Sequence, residues 1–204
     1  MTQTVTVLGG TGFLGRSAAF RLRQKGFSVR ITSRRPERSH ELFGGNDPDL
    51  VSVPEGIRDE QSISRAVSGA HGVVNAVSLY VEHGTDTFEA AHVEGAARAA
   101  RQAVQAGVQR LIHVSGIGSD PESPSPYIRS RGRGEKAVRA AFRNATIVRP
   151  AVMFGPDDAI LNTLARLLRS CGSIRCSVGG ARACSPPMWR MWRRRSRERP
   201  SAMT

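Results

Sequence analysis

The first 170 residues contain no cysteine; Cys171, Cys176 and Cys184 all fall in the last 34. An odd number at those spacings fits neither a disulfide framework nor a zinc site, so a reducing compartment is expected. No run of eighteen apolar residues occurs, which argues against a membrane-spanning helix. No charged-then-apolar leader precedes the first apolar run, so secretion is not expected. His40, His71, His83, His92 and His113 show no metal-ligand spacing, and no metal site is expected. His113 lies inside an apolar run and reads as a core histidine with its polar atoms satisfied.

Acidic residues are scarce, and the net charge is +13. Its distribution argues against a nucleic-acid partner. Residues 170–204 hold eight arginines and one glutamate and carry +7 of the total. The rest is spread over many positions, as on a solvated face. Basic residues interleave with aromatics only from residue 188 onward, so a grip on single strands is not expected of the main body.

What is present is a strand signal, Thr4-Val5-Thr6-Val7-Leu8, running into Gly9-Gly10-Thr11-Gly12-Phe13-Leu14-Gly15 and then a helical stretch. A strand that turns tightly into a helix aims the helix's free N–H groups and positive dipole end at one point, which suits a pyrophosphate. Gly9 would permit the turn, Gly12 the approach of phosphate, and Gly15 the packing of helix on strand. Thr11, Phe13 and Leu14 complete the cofactor-binding turn.

Apolar runs alternate with helical patterns. Strands are expected near 4–8, 28–32, 50–53, 72–77, 110–114 and 145–149, and helices near 14–25, 60–68, 86–106, 127–142 and 159–169. Such repeated units imply an α/β fold, a doubly wound parallel sheet of the Rossmann type with right-handed crossovers. Ligands then bind at the carboxyl ends of the strands, near the switch in strand order. Residues 1–169 form the nucleotide-binding domain in this reading.

An acidic residue for the ribose hydroxyls is common about twenty residues beyond the first glycine. Here the second strand ends in Thr32-Ser33-Arg34-Arg35. A guanidinium there can pair with a 2′-phosphate, so NADP(H) is favoured over NAD(H), with Arg34 as the contact and Ser33 as helper. Ala76 and Val77, after the fourth strand, bring small apolar groups toward the cofactor. Gly132 and Gly134 fall within the fourth helical run before the last strand. They cost that helix about 1 kcal/mol each relative to alanine, so packing must hold it.

The glycine turn, with His113-Val114-Ser115, Tyr127-Ile-Arg-Ser-Arg131, Gly134-Glu135-Lys136-Ala137-Val138 and Ile147-Val148-Arg149-Pro150, resembles the short-chain dehydrogenases/reductases. More narrowly it resembles their atypical, extended branch, which contains the NADPH-binding accessory subunit of respiratory complex I. The resemblance covers residues 4 to about 169. It implies a Tyr-x-x-x-Lys pair, matched by Tyr127, with Arg131 where lysine is expected. The tyrosine would move the proton of a substrate hydroxyl, and the basic residue would tune it and hold the nicotinamide ribose. Ser115 is the nearest match to the third catalytic member, while Ile117 stands where its hydroxyl is needed. Gly56 stands where related proteins often carry an aspartate near the adenine.

The resemblance implies an NAD(P)H-binding protein with a nucleotide-stabilised structural or regulatory role. Its partners would be a nicotinamide dinucleotide and a membrane-associated respiratory complex or quinone-related enzyme. The location would be cytoplasmic, or peripheral at the inner face of a membrane. The alternative is an active NADP-dependent reductase or epimerase using Tyr127; a third reading is a basic binder of nucleic acid or membrane surface through the tail.

Periodic patterning stops near Ser170, and no counterpart of the relatives' substrate lobe is expected in residues 170–204. Met188-Trp189 and Met191-Trp192 each fix ATGTGG. With AGG for Arg190, the segment read two bases later encodes Val-Glu-Asp-Val, similar to the family's Tyr-Val-x-Asp-Val. The tail 170–204 is therefore expected to be out of frame or irregular.

Overall fold

The computed structural model describes residues 2–34, 41–43, 50–54, 56–155, 162–163 and 166. The expected helix at 159–169 and the tail lie almost wholly outside them. Residues 1–153 form one compact unit, and the account below concerns that unit.

Six parallel strands run β1 (Thr4–Leu8), β2 (Ser28–Ser33), β3 (Leu50–Pro54), β4 (Gly72–Asn75), β5 (Arg110–Val114) and β6 (Thr146–Val148). Their order in the sheet is β3-β2-β1-β4-β5-β6. The chain thus winds outward to β3, then crosses to the other side of β1 to begin β4. Beyond the carboxyl ends of β1 and β4 lies the crevice where such sheets bind ligands. The register places Leu8 beside both Thr32 and Asn75.

β1 alternates between the two faces, as period-2 geometry demands. Val5 and Val7 join Ala19, Val29, Ile31 and Val74 in a core under α1 (Phe13–Gln24). Leu8 joins the opposite core, with Ile63, Ala66 and Val67 of α2 (Glu60–Val67). Ala96, Ala99, Ala100 and Ala103 of α3 (Gly95–Gln105) and Val138 of α4 (Pro126–Ala141) complete it. The alanines recur at helical spacing, giving α3 a narrow apolar stripe that lets it approach its neighbours closely. The polar Thr6 is tolerated in this core because its hydroxyl donates to Ala66 O at 2.8 Å.

Two elements differ from the sequence expectation. β4 stops at Asn75 instead of reaching Val77, because the buried Asn75 side chain accepts the Val77 N–H at 3.2 Å and turns the backbone out of the ladder. The expected helix 86–106 begins at Glu89, and its first six residues, Glu89–Glu94, form a π-helical turn before α3. Such wide turns mark places where a side chain needs to be re-aimed. Here it is His92, which points into the core.

Candidate functional site

The glycine turn is built as the sequence implies. Gly9 has φ +75°, a conformation only glycine adopts without strain. A Cβ on Gly15 would collide with the Gly9 carbonyl, so α1 can sit this close to the turn only without one. Gly12 is exposed and caps α1 with no side chain, and the helix's first turn holds no acidic residue. The free N–H groups at this end therefore face an open, electropositive point.

Several contacts fix the cradle around them. The Gly10 N–H donates to Thr32 O at 3.0 Å and the Gly9 N–H to Thr32 Oγ1 at 3.3 Å, tying the turn to β2. Thr11 and Ser33 share a hydroxyl hydrogen bond of 2.9 Å. Ala76 and Val77 form the other wall: their backbone lies 3.1–3.2 Å from where a Gly9 Cβ would be. Phe13 and Leu14 open α1, half-buried, and the Arg16 guanidinium lies 5.8 Å from the Phe13 ring centroid.

Thr32-Ser33-Arg34-Arg35 at the end of β2 carries no carboxylate of its own, but the tertiary structure brings one to Arg34. Asp86, 52 residues further on, accepts from Arg34 Nη1 at 2.7 Å. Its other oxygen lies 3.3 Å from Arg58 Nη2. Sequence reasoning missed this acid because it comes from the loop after β4.

A second cluster surrounds Tyr127, at the start of α4. Spacing of four brings Arg131 back over it: Arg131 Nη2 donates to the Tyr127 hydroxyl at 3.1 Å, and the guanidinium carbon lies 5.3 Å from the ring centroid. Arg131 is buried, and also donates to Ser78 Oγ at 2.5 Å and Val114 O at 3.2 Å. Its Nε is buried without a partner. An orphaned buried donor costs about 1–3 kcal/mol and is satisfied when a ligand oxygen reaches it.

Ser115, buried at the end of β5, shares a hydrogen bond with Ser119 at 2.9 Å, and its hydroxyl also supports Glu135. Ile117 is 72% exposed and contributes no hydroxyl. The sequence-predicted Tyr127 and Arg131 are thus brought together, while Ser115 is engaged with Ser119 and Glu135.

His92 was given no role by the sequence. It is buried, and its Nε2 accepts the Leu79 N–H at 3.0 Å. The proton must then sit on Nδ1, which faces Ser130 Oγ at 2.9 Å; that hydroxyl donates in turn to Tyr127 O at 2.9 Å. The ring meets Tyr127 edge-on at 5.6 Å, and Phe88 does the same at 5.5 Å. Tyr80 stacks on Tyr127 at 6.0 Å. Burial, reinforced by the Arg131 charge and by His113, lowers the His92 pKa to about 4. Burial and Arg131 do the same to His113, whose ring shares a 3.3 Å contact with Asn75 Nδ2, as expected of a satisfied core histidine. Glu135 is buried too. Burial opposes its ionisation, but Arg149 donates twice, at 2.9 and 2.5 Å, and holds the carboxyl below its usual range.

Comparison with known proteins places this architecture. The sequence model of a family described as NAD(P)H-binding matches residues 9–165. The chain belongs to that NAD(P)H-binding family. The NAD(P)H-binding domain is 37% identical to the mitochondrial 40 kDa subunit of NADH-ubiquinone oxidoreductase of Neurospora crassa, over 79% of this chain and 44% of that protein. It is 34% identical to a ceramide reductase of Caulobacter vibrioides, over 76% of this chain and 47% of that protein. A solved short-chain dehydrogenase/reductase superfamily protein from Agrobacterium tumefaciens, with bound NAD, superposes with a TM-score of 0.57. Its identity is 26%, and the match covers 72% of this chain and 48% of that one. The NAD(P)H-binding domain is thus of the atypical short-chain dehydrogenase/reductase type and related to complex I accessory subunits. The chain spans about half the length of the curated relatives it matches.

Two features of the chain fit a dinucleotide: the side-chain-free cradle over Gly12, and the orphaned Nε of Arg131, the residue whose Nη2 donates to the Tyr127 hydroxyl. Among the described residues, no helix is long and apolar enough to cross a membrane.

Proposed function

We propose that this chain is a nicotinamide-dinucleotide-binding module, stabilised by the nucleotide it holds and serving a structural or regulatory part. The observation that carries this reading is the junction of β1 and α1, where Gly9, Gly12 and Gly15 leave an open point at a helix N-terminus. Thr11, Phe13 and Leu14 would line the pyrophosphate, Ala76 and Val77 the opposite wall, and Ser33 and Arg34 the adenosine ribose. Tyr127 and Arg131 would meet the nicotinamide ribose. The nucleotide site lies within residues 1–169, and the tail is not needed for it.

NADP(H) is favoured over NAD(H). Among the described residues, Arg34 and Arg58 outnumber Asp86 in this cluster, a net positive charge suited to a 2′-phosphate. The partner class is a membrane-associated respiratory complex or a quinone-related enzyme, in keeping with the relative from N. crassa. The location is cytoplasmic or peripheral at a membrane's inner face. Calorimetry with NADPH and NADH tests the cofactor reading. Wild type should prefer NADPH and Arg34→Asp should lose that preference; equal wild-type affinities overturn it.

A second reading, an active reductase or epimerase, is favoured by the 3.1 Å contact between Arg131 and the Tyr127 hydroxyl. A bound reduced nicotinamide would supply hydride. In this chain Tyr127 would hold or release the substrate's hydroxyl proton, with Ser115 nearby and the Arg131 cation in place of a lysine ammonium. Arginine keeps the charge but spreads it over a planar fork already shared with Ser78 and Val114 O, which is why binding ranks above turnover. NADPH oxidation with a ketone, aldehyde or sugar nucleotide, lost in Tyr127→Phe, would reverse the ranking.

A further inference from the structure

We propose that Asp86 sets the balance between the two nicotinamide dinucleotides, by withholding Arg34 from a 2′-phosphate and offering its own carboxylate to a free 2′-hydroxyl. This rests on the nucleotide-binding reading above.

Three loops converge on this one carboxylate. Arg34 follows β2, Arg58 precedes α2, and Asp86 lies in the loop after β4. The acid is the better-anchored member of the group. Asp86 exchanges backbone hydrogen bonds with His83, both 3.0 Å, across a turn containing Gly84 at φ +56°. Arg58 Nη1 clamps that turn by donating to Thr85 O at 2.6 Å. Arg34, by contrast, reaches the acid at the end of a long side chain that is 69% exposed. A ligand arriving from solvent can therefore draw Arg34 away, while the carboxylate stays where its turn holds it.

The location gives the pair its consequence. Ser33, the residue before Arg34, shares a hydrogen bond with Thr11 of the glycine turn, so the pair lies at the ribose end of the cradle. A nucleotide with a free 2′-hydroxyl brings a donor, which a carboxylate accepts well. A 2′-phosphate brings a charge of about −1.5 to −2, must take Arg34 from its partner, and then sits beside that partner's negative charge. The segment Thr32-Ser33-Arg34-Arg35 contains no acid, and the fold supplies one from a distant loop. Repulsion across several ångströms of solvent is worth roughly five- to tenfold in affinity.

The test measures NADPH and NADH dissociation constants by calorimetry for wild type, Asp86→Asn and Asp86→Glu. Asp86→Asn removes the charge but keeps the shape, and should raise the NADPH-to-NADH affinity ratio roughly five- to tenfold at low salt, less at high salt. Asp86→Glu keeps the charge and should leave the ratio within about twofold of wild type. Arg34 is exposed and Asp86 half-buried, so the fold should depend little on their pairing. Circular-dichroism melts check this, and Asp86→Ser provides a second neutral side chain should the amide variant melt early. Nucleotide binding with an unchanged or lowered ratio in the neutral variants overturns the role of Asp86 and leaves the nucleotide site standing. Failure of wild type to bind either dinucleotide overturns both.

Discussion

Replacing Gly134 by alanine sets two effects of opposite sign against each other. Gly134 lies inside α4, where alanine is favoured over glycine by about 1 kcal/mol. On that ground alone the variant should be more stable. The packing opposes it. A Cβ there would lie well under 3.0 Å from the His92 carbonyl oxygen and 3.1 Å from its carbon. Both are main-chain atoms of the π-helical turn, so neither can rotate away. α4 and that turn would have to separate, and the His92–Ser130 hydrogen bond crosses the same gap. Overpacking costs typically about 1–3 kcal/mol, and contact with main chain belongs at the upper end. Subtracting the propensity gain leaves a net loss of about 2 kcal/mol. For a domain of this size that lowers Tm by roughly 4–8 °C. Thermal melts followed by far-ultraviolet circular dichroism, with urea unfolding alongside, measure it. A Tm equal to or above wild type would refute the claim that close helix approach, and not chance, put glycine there.

Gly12→Val should abolish nucleotide binding while preserving the far-ultraviolet spectrum. The only close neighbour of its Cβ is the Gly9 carbonyl oxygen, at a tolerable 3.3 Å, but the side chain would fill the phosphate's space; retained enhancement of nicotinamide fluorescence would place the site elsewhere. Stability should fall as pH drops from about 6.5 to about 4. His92 and His113 resist protonation in the folded state, with pKa values lowered to about 4, whereas the unfolded chain takes up those protons near 6.5. The unfolded state thus binds more protons throughout that window, and Tm should rise with pH across it. Tm measured over this range should vary less steeply in His92→Gln, and an unchanged slope would contradict the assignment.

The glycine turn was legible in the sequence because its requirements are local. A turn that needs positive φ at Gly9 and no Cβ at Gly15 writes itself into seven consecutive residues. A parallel sheet buried on both faces writes itself as short apolar runs between helical patterns. The pairing of Tyr127 with Arg131 was legible for the same reason, since four residues apart on a helix is a fixed distance. Tertiary structure alone decided the rest. Sequence showed Gly132 and Gly134 only as a cost to α4; the closeness of His92 and Pro121 explains them. Asp86 meets Arg34 across 52 residues, and His92 meets Ser130 across 38. No periodicity or spacing encodes such meetings. They depend on where loops after separate strands converge, and on a π-helical turn that re-aims one histidine. Sequence determined that a nucleotide could be held at the end of β1. Folding determined which charges gather beyond β2 and what stands behind Tyr127, because charge and burial act through space rather than along the chain.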